Sequence, residues 1–280
     1  MNFDRIFDRK TDNSIKWNKY ADGVLPLWVA DMDFEVAQPI QLALENFIKT
    51  GVYGYAAPSE ALAEVIIQRF KEKYKWDIER DWIVWNPSVV SGLYISARDP
   101  STQGYSVMTS TPVYRPFLDA AEAEGRNLLA VPLKQANNSW VMDFEAMERM
   151  YTPDTKFCIL CNPHNPTGRI YSREELEQLV NFCNARGILV CSDEIHADII
   201  MDETKQHIPY ASISEEMAMN SINLFSPGKA YNMPGINSGF AIIPNKEIRE
   251  RFVNLKLNIV PHMTKLSGDV ALAAYSESND

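Results

Sequence analysis

Three short segments combine chemically useful side chains with positions directly after apolar runs. Lys229 ends Ser226-Pro227-Gly228-Lys229, which follows the apolar run 222–225. A lysine just beyond a buried strand can be partly desolvated, which lowers its pKa and makes its amine a nucleophile. Asp193 lies in Ser192-Asp193-Glu194-Ile195-His196. A carboxylate at a buried strand end is costly unless a cation or a hydrogen-bond donor meets it.

The third segment is the loop Asn162-Pro163-His164-Asn165-Pro166-Thr167-Gly168. Each proline restricts the residue before it to extended backbone, and Gly168 permits a tight turn. Such a loop can hold the amide of Asn165 toward a ligand, although a plain strand-to-helix turn is an alternative. Likewise, Asp193 and Glu194 could be solvated acids that open the next helix.

Two other interpretations of these residue types fail. Serine β-lactamases also contain Ser-x-x-Lys and Lys-Thr-Gly, but in them Lys-Thr-Gly follows the nucleophilic serine and a Ser-Asp-Asn lies between the two motifs. Here Lys49-Thr50-Gly51 comes before Ser226, and Ser-Asp-Asn is absent. Cys158 and Cys161 lie three apart in a strand-like run, so their side chains should point to opposite faces and no metal site is expected. For these and for Cys183 and Cys191 we expect buried, reduced thiols.

The elements that position these segments alternate along the chain. Apolar or β-branched runs predict strands at 82–85, 105–109, 128–133, 157–161, 188–192, 222–225 and 239–243. A helix is predicted at 173–186, where Ser172 and Glu175 form a capping box and Gly187 ends the helix. Because the runs near 157 and 188 are apolar almost throughout, the pattern predicts an α/β fold with a mostly parallel sheet. The three segments should meet at its carboxyl edge.

The two ends of the chain depart from this alternation. Residues 1–45 contain an extended, Trp-bearing segment and the start of a helix at 36–49, and we expect them to pack outside the sheet. Helices are predicted at 245–257 and 265–275 with no further strand, so the regular alternation of strands and helices looks unfinished there.

Composition excludes several classes of protein. The chain has 280 residues, 46% hydrophobic and 23% charged, which is typical of globular proteins. Lys and Arg number 27 and Asp and Glu 37, giving a net charge of −10 that disfavours nucleic acid as a partner. The N-terminus lacks a signal-peptide pattern, and no apolar run approaches the roughly 18 residues of a membrane span. We therefore expect a cytoplasmic protein with no membrane partner.

In their order along the chain, which is 162–168, 192–196 and 226–229, the three segments resemble those of fold type I pyridoxal-phosphate (PLP) enzymes, the class I/II aminotransferase superfamily. Segments 28–34, 52–55, 87–90 and 111–117 resemble the MalY/PatB-type cystathionine β-lyases, or C–S lyases. His196 stands where common aminotransferases of this fold usually carry Tyr. The resemblance runs from about residue 3 to the end. It implies that residues 46–280 form the seven-stranded, PLP-binding large domain of PLP-dependent transferases. Residues 1–45 would belong to the small domain, which is expected to be incomplete because its C-terminal part is largely missing.

The resemblance also implies roles around the cofactor ring. Lys229 would hold PLP covalently and then act as general base. Asp193 would pair with the pyridine nitrogen, so that the ring acts as an electron sink. Asn165 would hydrogen-bond the phenolic oxygen of the ring, on the side that His196 would tune. Tyr114 would stack on the ring face.

At the cofactor phosphate, the resemblance implies the backbone N–H groups of Val89 and Val90, at the start of a helix. Ser226 would add a hydroxyl, and Tyr55 would reach the phosphate from the neighbouring subunit of a homodimer. Many relatives also place an arginine shortly after the lysine, and residues 232–239 contain none.

The activity implied is a PLP-dependent C–S β-lyase that releases thiol, pyruvate and ammonia from an amino-acid thioether such as cystathionine. An aminotransferase is the near alternative, because Lys229 could return the proton to a cofactor carbon instead. A truncated, catalytically inactive PLP-binding or regulatory protein is a third, because no residue can be assigned to the arginine that binds the substrate carboxylate in relatives.

Overall fold

The predicted strands form one sheet in the computed structural model, which describes residues 3–99, 101, 105–136 and 138–278. Within these residues the sheet has seven strands: β1 (Ile83–Asn86), β2 (Ser106–Thr111), β3 (Leu128–Pro132), β6 (Thr155–Cys161), β7 (Leu189–Asp193), β8 (Ser221–Phe225) and β9 (Gly239–Ile242). They pair in the order β3-β2-β6-β7-β8-β9-β1. Strand β9 is antiparallel to β8 and β1, and the other pairings are parallel. The predicted α/β fold with a mostly parallel sheet is confirmed.

Helices connect the strands and cover both faces of the sheet. They are α1 (Ile15–Asn18), α2 (Gln38–Thr50), α3 (Glu60–Tyr74), α4 (Val89–Ala97), α5 (Pro116–Ala123), α6 (Phe144–Met150), α7 (Arg173–Asn184), α8 (Glu215–Ala218), α9 (Lys246–Lys256) and α10 (Lys265–Glu277). Strands β4 (Lys134–Ala136) and β5 (Ser139–Val141) form a separate antiparallel hairpin. Among the described residues, no helix is both long and apolar enough to cross a membrane.

The central strands are buried on both faces, as their apolar sequences predict. Along β6, Phe157, Ile159 and Cys161 pack into the cluster that contains α4, α5 and α9 residues. Cys158 and Leu160 pack into the cluster on the other face, with α6 and α7. The predicted opposite orientation of Cys158 and Cys161 is therefore confirmed. The four cysteines of the chain are free and buried.

Helix α7 shows how local sequence sets the element boundaries. The Ser172 hydroxyl accepts a hydrogen bond from the Glu175 N–H, and the Glu175 side chain accepts one from the Ser172 N–H at 2.9 Å. This is the predicted capping box. The helix ends at Asn184, two residues earlier than predicted. Gly187 adopts a left-handed φ of 61° in the turn that follows, where the Ile188 N–H donates to the Cys183 carbonyl at 2.9 Å.

The N-terminal region packs on the last helix and not on the sheet. Ile40 of α2 shares a small buried cluster with Val270 and Ala274 of α10 and with Met233. Helix α2 begins two residues later than the sequence pattern predicts, because Ala37 has extended backbone and Pro39 lies in the first turn. The division of the chain into domains at residue 45 stays a prediction.

Candidate active site

The candidate residues follow strands that end at one edge of the sheet. Both β1 and β8 are antiparallel to β9, so the carboxyl ends of β1, β2, β6, β7 and β8 lie at the same edge. Asn165 follows β6, Asp193 ends β7 and Lys229 follows β8. Because β6, β7 and β8 are neighbours, these three segments are adjacent at the edge where open α/β folds bind ligands.

Lys229 lies in a turn that brings its amine against the N-terminal segment. Its Nζ donates a hydrogen bond of 3.0 Å to the Ala30 carbonyl oxygen. The Ser226 hydroxyl closes the turn by accepting from the Gly228 N–H at 3.0 Å. Partial burial lowers the pKa of Lys229, and the negative charges of Asp31 and Asp193 oppose this effect. Lys229 is thus an amine that gives up its proton more readily than an ordinary lysine.

Asp193 is a buried carboxylate, with 6% of its surface exposed. Its Oδ1 accepts a hydrogen bond of 3.0 Å from the Ile195 N–H. Burial raises the pKa of Asp193 to about 7; the Ile195 hydrogen bond and the charge of Lys229 oppose the rise, and the charge of Glu194 adds to it. A positive charge next to a buried carboxylate of raised pKa stabilises its ionised form.

The carboxylate of Glu194 is buried too, but it binds other partners. Its Oε2 lies 2.6 Å from His207 Nε2, and neither side chain is exposed. Its Oε1 accepts a hydrogen bond of 3.1 Å from the Tyr210 N–H. These contacts exclude the alternative that Asp193 and Glu194 are solvated helix-opening acids. Sequence analysis missed His207, which lies outside any periodic pattern.

The Asn-Pro loop is closed by its own backbone. The His164 N–H donates to the Arg169 carbonyl, and the Gly168 N–H donates to the His164 carbonyl, both at 2.7 Å. Gly168 has a left-handed φ of 70°, as expected for a tight turn. The Asn165 N–H donates to Cys161 Sγ at 3.3 Å, which fixes the loop to the end of β6.

Asn165 and His196 line one groove of about 300 Å³, together with Ala30. Ala30 is also the residue whose carbonyl accepts from Lys229, so the groove lies beside the lysine. Burial lowers the pKa of His196, and the positive charge of Lys229 lowers it further. The imidazole is therefore neutral near pH 7.

The predicted phosphate-binding residues lie at the same edge, after β1. Ser88 caps α4 by accepting from the Ser91 N–H at 3.1 Å, and the helix begins at Val89. The N–H groups of Val89 and Val90 have no carbonyl in a preceding helical turn, so the helix terminus favours an anion. The backbone at Ser88, just before α4, lies so close to Gly239 that a Cβ atom on residue 239 would be 3.0 Å from the Ser88 carbonyl carbon.

The two predicted tyrosines differ in position. Tyr114 follows β2 at the site edge and is 46% exposed. Tyr55 is fully exposed and lines another cavity, of about 970 Å³, with Trp85 and Lys256. The chain itself thus brings Tyr114, but not Tyr55, to this edge. The contact of Tyr55 with a neighbouring subunit stays a prediction.

Sequence analysis also missed how the N-terminal segment is held over Lys229. Asn232 Oδ1 accepts from the Met32 N–H at 2.9 Å, and its Nδ2 donates to the carbonyls of Met32 and Phe34 at 3.2 and 2.9 Å. Asn232 adopts φ 51°, a left-handed conformation that asparagine tolerates. The Oδ1 of Asp31 is buried and has no hydrogen-bond partner in the part of the chain that the structure describes.

These residues fit the aldehyde cofactor that the sequence predicts. The lowered pKa of Lys229 suits an amine that condenses with an aldehyde, and the raised pKa of Asp193 suits a carboxylate awaiting a protonated ring nitrogen. The start of α4 suits a phosphate. In the described ranges, no three His, Cys, Asp or Glu side chains are grouped so that they could hold a metal ion.

Comparison with known proteins decides the family. Residues 24–280 match the model of aminotransferase class I and II. The chain belongs to the class I and II aminotransferase family. Cystathionine beta-lyase PatB from Bacillus subtilis (strain 168) is 34% identical over 284 residues, a match that covers 99% of this chain and 73% of PatB.

Two solved structures show that the chain is similar to known proteins in fold as well as in sequence. The crystal structure of OvoB matches with a TM-score of 0.95 and 42% identity, covering 99% of this chain and 74% of OvoB. Cystalysin from Treponema denticola, which contains a PLP cofactor, matches with a TM-score of 0.93 and 30% identity, covering 99% of this chain and 73% of cystalysin. The predicted resemblance to MalY/PatB-type enzymes of this superfamily is confirmed.

Proposed function

We propose that the protein is a PLP-dependent carbon–sulfur β-lyase acting on L-cysteine thioethers such as cystathionine. The overall reaction takes the thioether and water to a thiol, pyruvate and ammonium. One observation carries the proposal: the buried carboxylate of Asp193 ends β7, and Lys229 follows the neighbouring strand β8 at the same edge of the sheet. Similarity to PatB along 99% of the chain favours elimination at sulfur over transamination.

The residues at the sheet edge would hold the cofactor. When bound, PLP supplies an electron sink joined to the substrate amine. Asp193 would keep a proton on the pyridine nitrogen, because the buried carboxylate is stabilised by a positive N–H. The N–H groups of Val89 and Val90 would bind the phosphate, and the Ser226 hydroxyl would add a hydrogen bond. Tyr114 would stack on the ring.

Lys229 would move the proton. Its lowered pKa increases the neutral fraction of the amine, which removes the proton from the substrate Cα as a general base. The thiolate then leaves Cβ, and the Lys229 ammonium can return the proton to the departing sulfur. Asn165 and His196 would orient the phenolic side of the ring.

The proposal includes a homodimer in the cytoplasm. Tyr55 is fully exposed, so its side chain is accessible to a neighbouring subunit. The four free, buried cysteines suit a reducing compartment.

The test is elimination by the PLP-loaded protein. With L-cystathionine we expect pyruvate, measured with lactate dehydrogenase, and an equal amount of thiol, measured with Ellman's reagent. Lys229→Ala should abolish both products and the borohydride-trapped cofactor label. Lys246→Ala, at an exposed lysine that starts α9, should retain them.

Other outcomes would contradict the proposal in different ways. Amino-group transfer to a keto acid without thiol release would make the protein an aminotransferase. Cofactor absorbance that does not change on addition of substrate would make it a PLP-binding protein without lyase activity.

A further inference from the structure

The groove beside Asn165 and His196 continues to charged side chains that the proposed reaction does not use. Its lining includes Ile199 and Met201, followed by Asp202 and Lys205. Asp202 and Lys205 are about half exposed, at 49% and 58%, so they lie at the solvent end. Volumes of about 300 Å³ are at the lower end of the range for small-molecule sites.

Helix α3 anchors the segment 198–206, which carries Ile199, Met201, Asp202 and Lys205. Asp198 accepts hydrogen bonds from Tyr74 at 2.8 Å and from Lys73, and it forms a 2.9 Å ion pair with Arg69. Eight residues later, Gln206 Nε2 donates to the Lys73 carbonyl at 2.6 Å. Both ends of the segment 198–206 are thus fixed to one helix.

Within this segment the carboxylate of Asp202 is oriented. Its Oδ1 accepts from the Thr204 N–H at 3.0 Å and from the Thr204 hydroxyl at 2.6 Å. The Lys205 N–H donates to the Asp202 carbonyl at 2.9 Å, and Lys205 Nζ lies 3.6 Å from Asp202 Oδ2. The groove therefore ends in one negative and one positive group side by side.

We propose that this end of the groove binds the sulfur substituent of the substrate and selects one that ends in an amino-acid zwitterion. The inference rests on the proposed function. The distal ammonium lies against Asp202 and the distal carboxylate against Lys205, while Ile199 and Met201 contact the methylene groups. A substituent with a single charge meets one attraction and one repulsion, so the paired charges favour the zwitterion.

The test crosses two variants with substrates that differ only at the distal end. The substrates are L-cystathionine, S-(2-aminoethyl)-, S-(2-carboxyethyl)- and S-ethyl-L-cysteine. Asp202→Asn should lower kcat/KM for the aminoethyl substrate by up to about fivefold, the factor that corresponds to about 1 kcal/mol for an exposed ion pair. It should raise kcat/KM for the carboxyethyl substrate and leave the ethyl substrate unchanged. Lys205→Met should give the mirror image, and cystathionine should lose activity with both variants.

Glu203→Gln is the matched control, because this neighbouring acid is exposed and does not line the groove. It should change none of the four values. A variant at Asp202 or Lys205 that changes all substrates by the same factor would overturn the subsite.

If the wild type releases no pyruvate from any substrate, the proposed function fails, and calorimetric binding of the same four amino acids decides the subsite. Tighter binding of cystathionine than of the singly charged compounds supports it. Equal affinities overturn it.

Discussion

The buried carboxylate of Asp193 should destabilise the cofactor-free protein at neutral pH. Burial raises its pKa from the ordinary 3.8 to about 7, so between these values the folded chain binds the proton more tightly than the unfolded chain. Each pH unit across this interval corresponds to about 1.4 kcal/mol. Stability is therefore unaffected by Asp193 below about pH 4 and falls as the pH rises, by up to about 4 kcal/mol at pH 7 and above.

Asp193→Asn removes the charge and keeps the oxygen that accepts from the Ile195 N–H. We expect the variant to equal the wild type near pH 4 and to be more stable at pH 8, by up to about 4 kcal/mol. Urea denaturation of both cofactor-free proteins from pH 4 to pH 8 measures this. The difference between the two curves cancels the titration of the other groups. Glu64→Gln, at an exposed acid of α3, is the control and should change stability by less than about 0.5 kcal/mol at every pH.

The same variant should bind PLP more weakly, because a neutral amide does not balance the charge of a protonated ring nitrogen. Equilibrium dialysis of the cofactor measures its affinity for the two proteins. A stability difference that does not change with pH would refute the buried-charge argument. Equal PLP affinity would refute the proposed role of Asp193.

Two further substitutions test contacts that the sequence did not predict. Glu194→Ala leaves His207 and the Tyr210 N–H without their acceptor. Because each buried group left unsatisfied costs about 1–3 kcal/mol, the free energy of unfolding measured by urea denaturation should fall by about 2–6 kcal/mol. A loss below about 1 kcal/mol would contradict the stabilising role of these contacts. Asn232→Gly keeps the left-handed backbone and removes the amide that holds the N-terminal segment, so acetic anhydride should label Lys229 several-fold faster in the cofactor-free variant. Unchanged labelling, read by peptide mass spectrometry, would show that the segment does not depend on this contact.

Sequence patterns predict the elements whose structure is determined by residues close together in the sequence. The strands β6, β7 and β8 are short, mostly apolar runs, and that pattern predicts both their burial and the parallel sheet. The position of Asp193 at the end of β7 follows directly. By contrast, the three-residue strands of the β4–β5 hairpin are too short to show a period, and the sequence does not indicate them.

Contacts between distant parts of the chain could not be predicted in this way. The hydrogen bond from Lys229 to Ala30 joins residues 199 apart, and the two hydrogen bonds between Asn232 and Met32 join residues 200 apart. Neither periodicity nor spacing encodes such pairs, because the folded sheet and α10 bring them together. The sequence therefore indicates which side chains could react but not which backbone covers them.

The buried carboxylate of Asp193 makes the site unfavourable without a ligand, and it is also the group that would bind the cofactor ring. Asp31 Oδ1 and His164 Nε2 are further buried polar atoms without partners in the described residues. The capping box of α7, in contrast, satisfies its donors locally. A ligand present at about 1,000 times its dissociation constant stabilises a fold by about 4 kcal/mol. Cofactor at that concentration would therefore offset the destabilisation of about 4 kcal/mol expected from Asp193 at neutral pH.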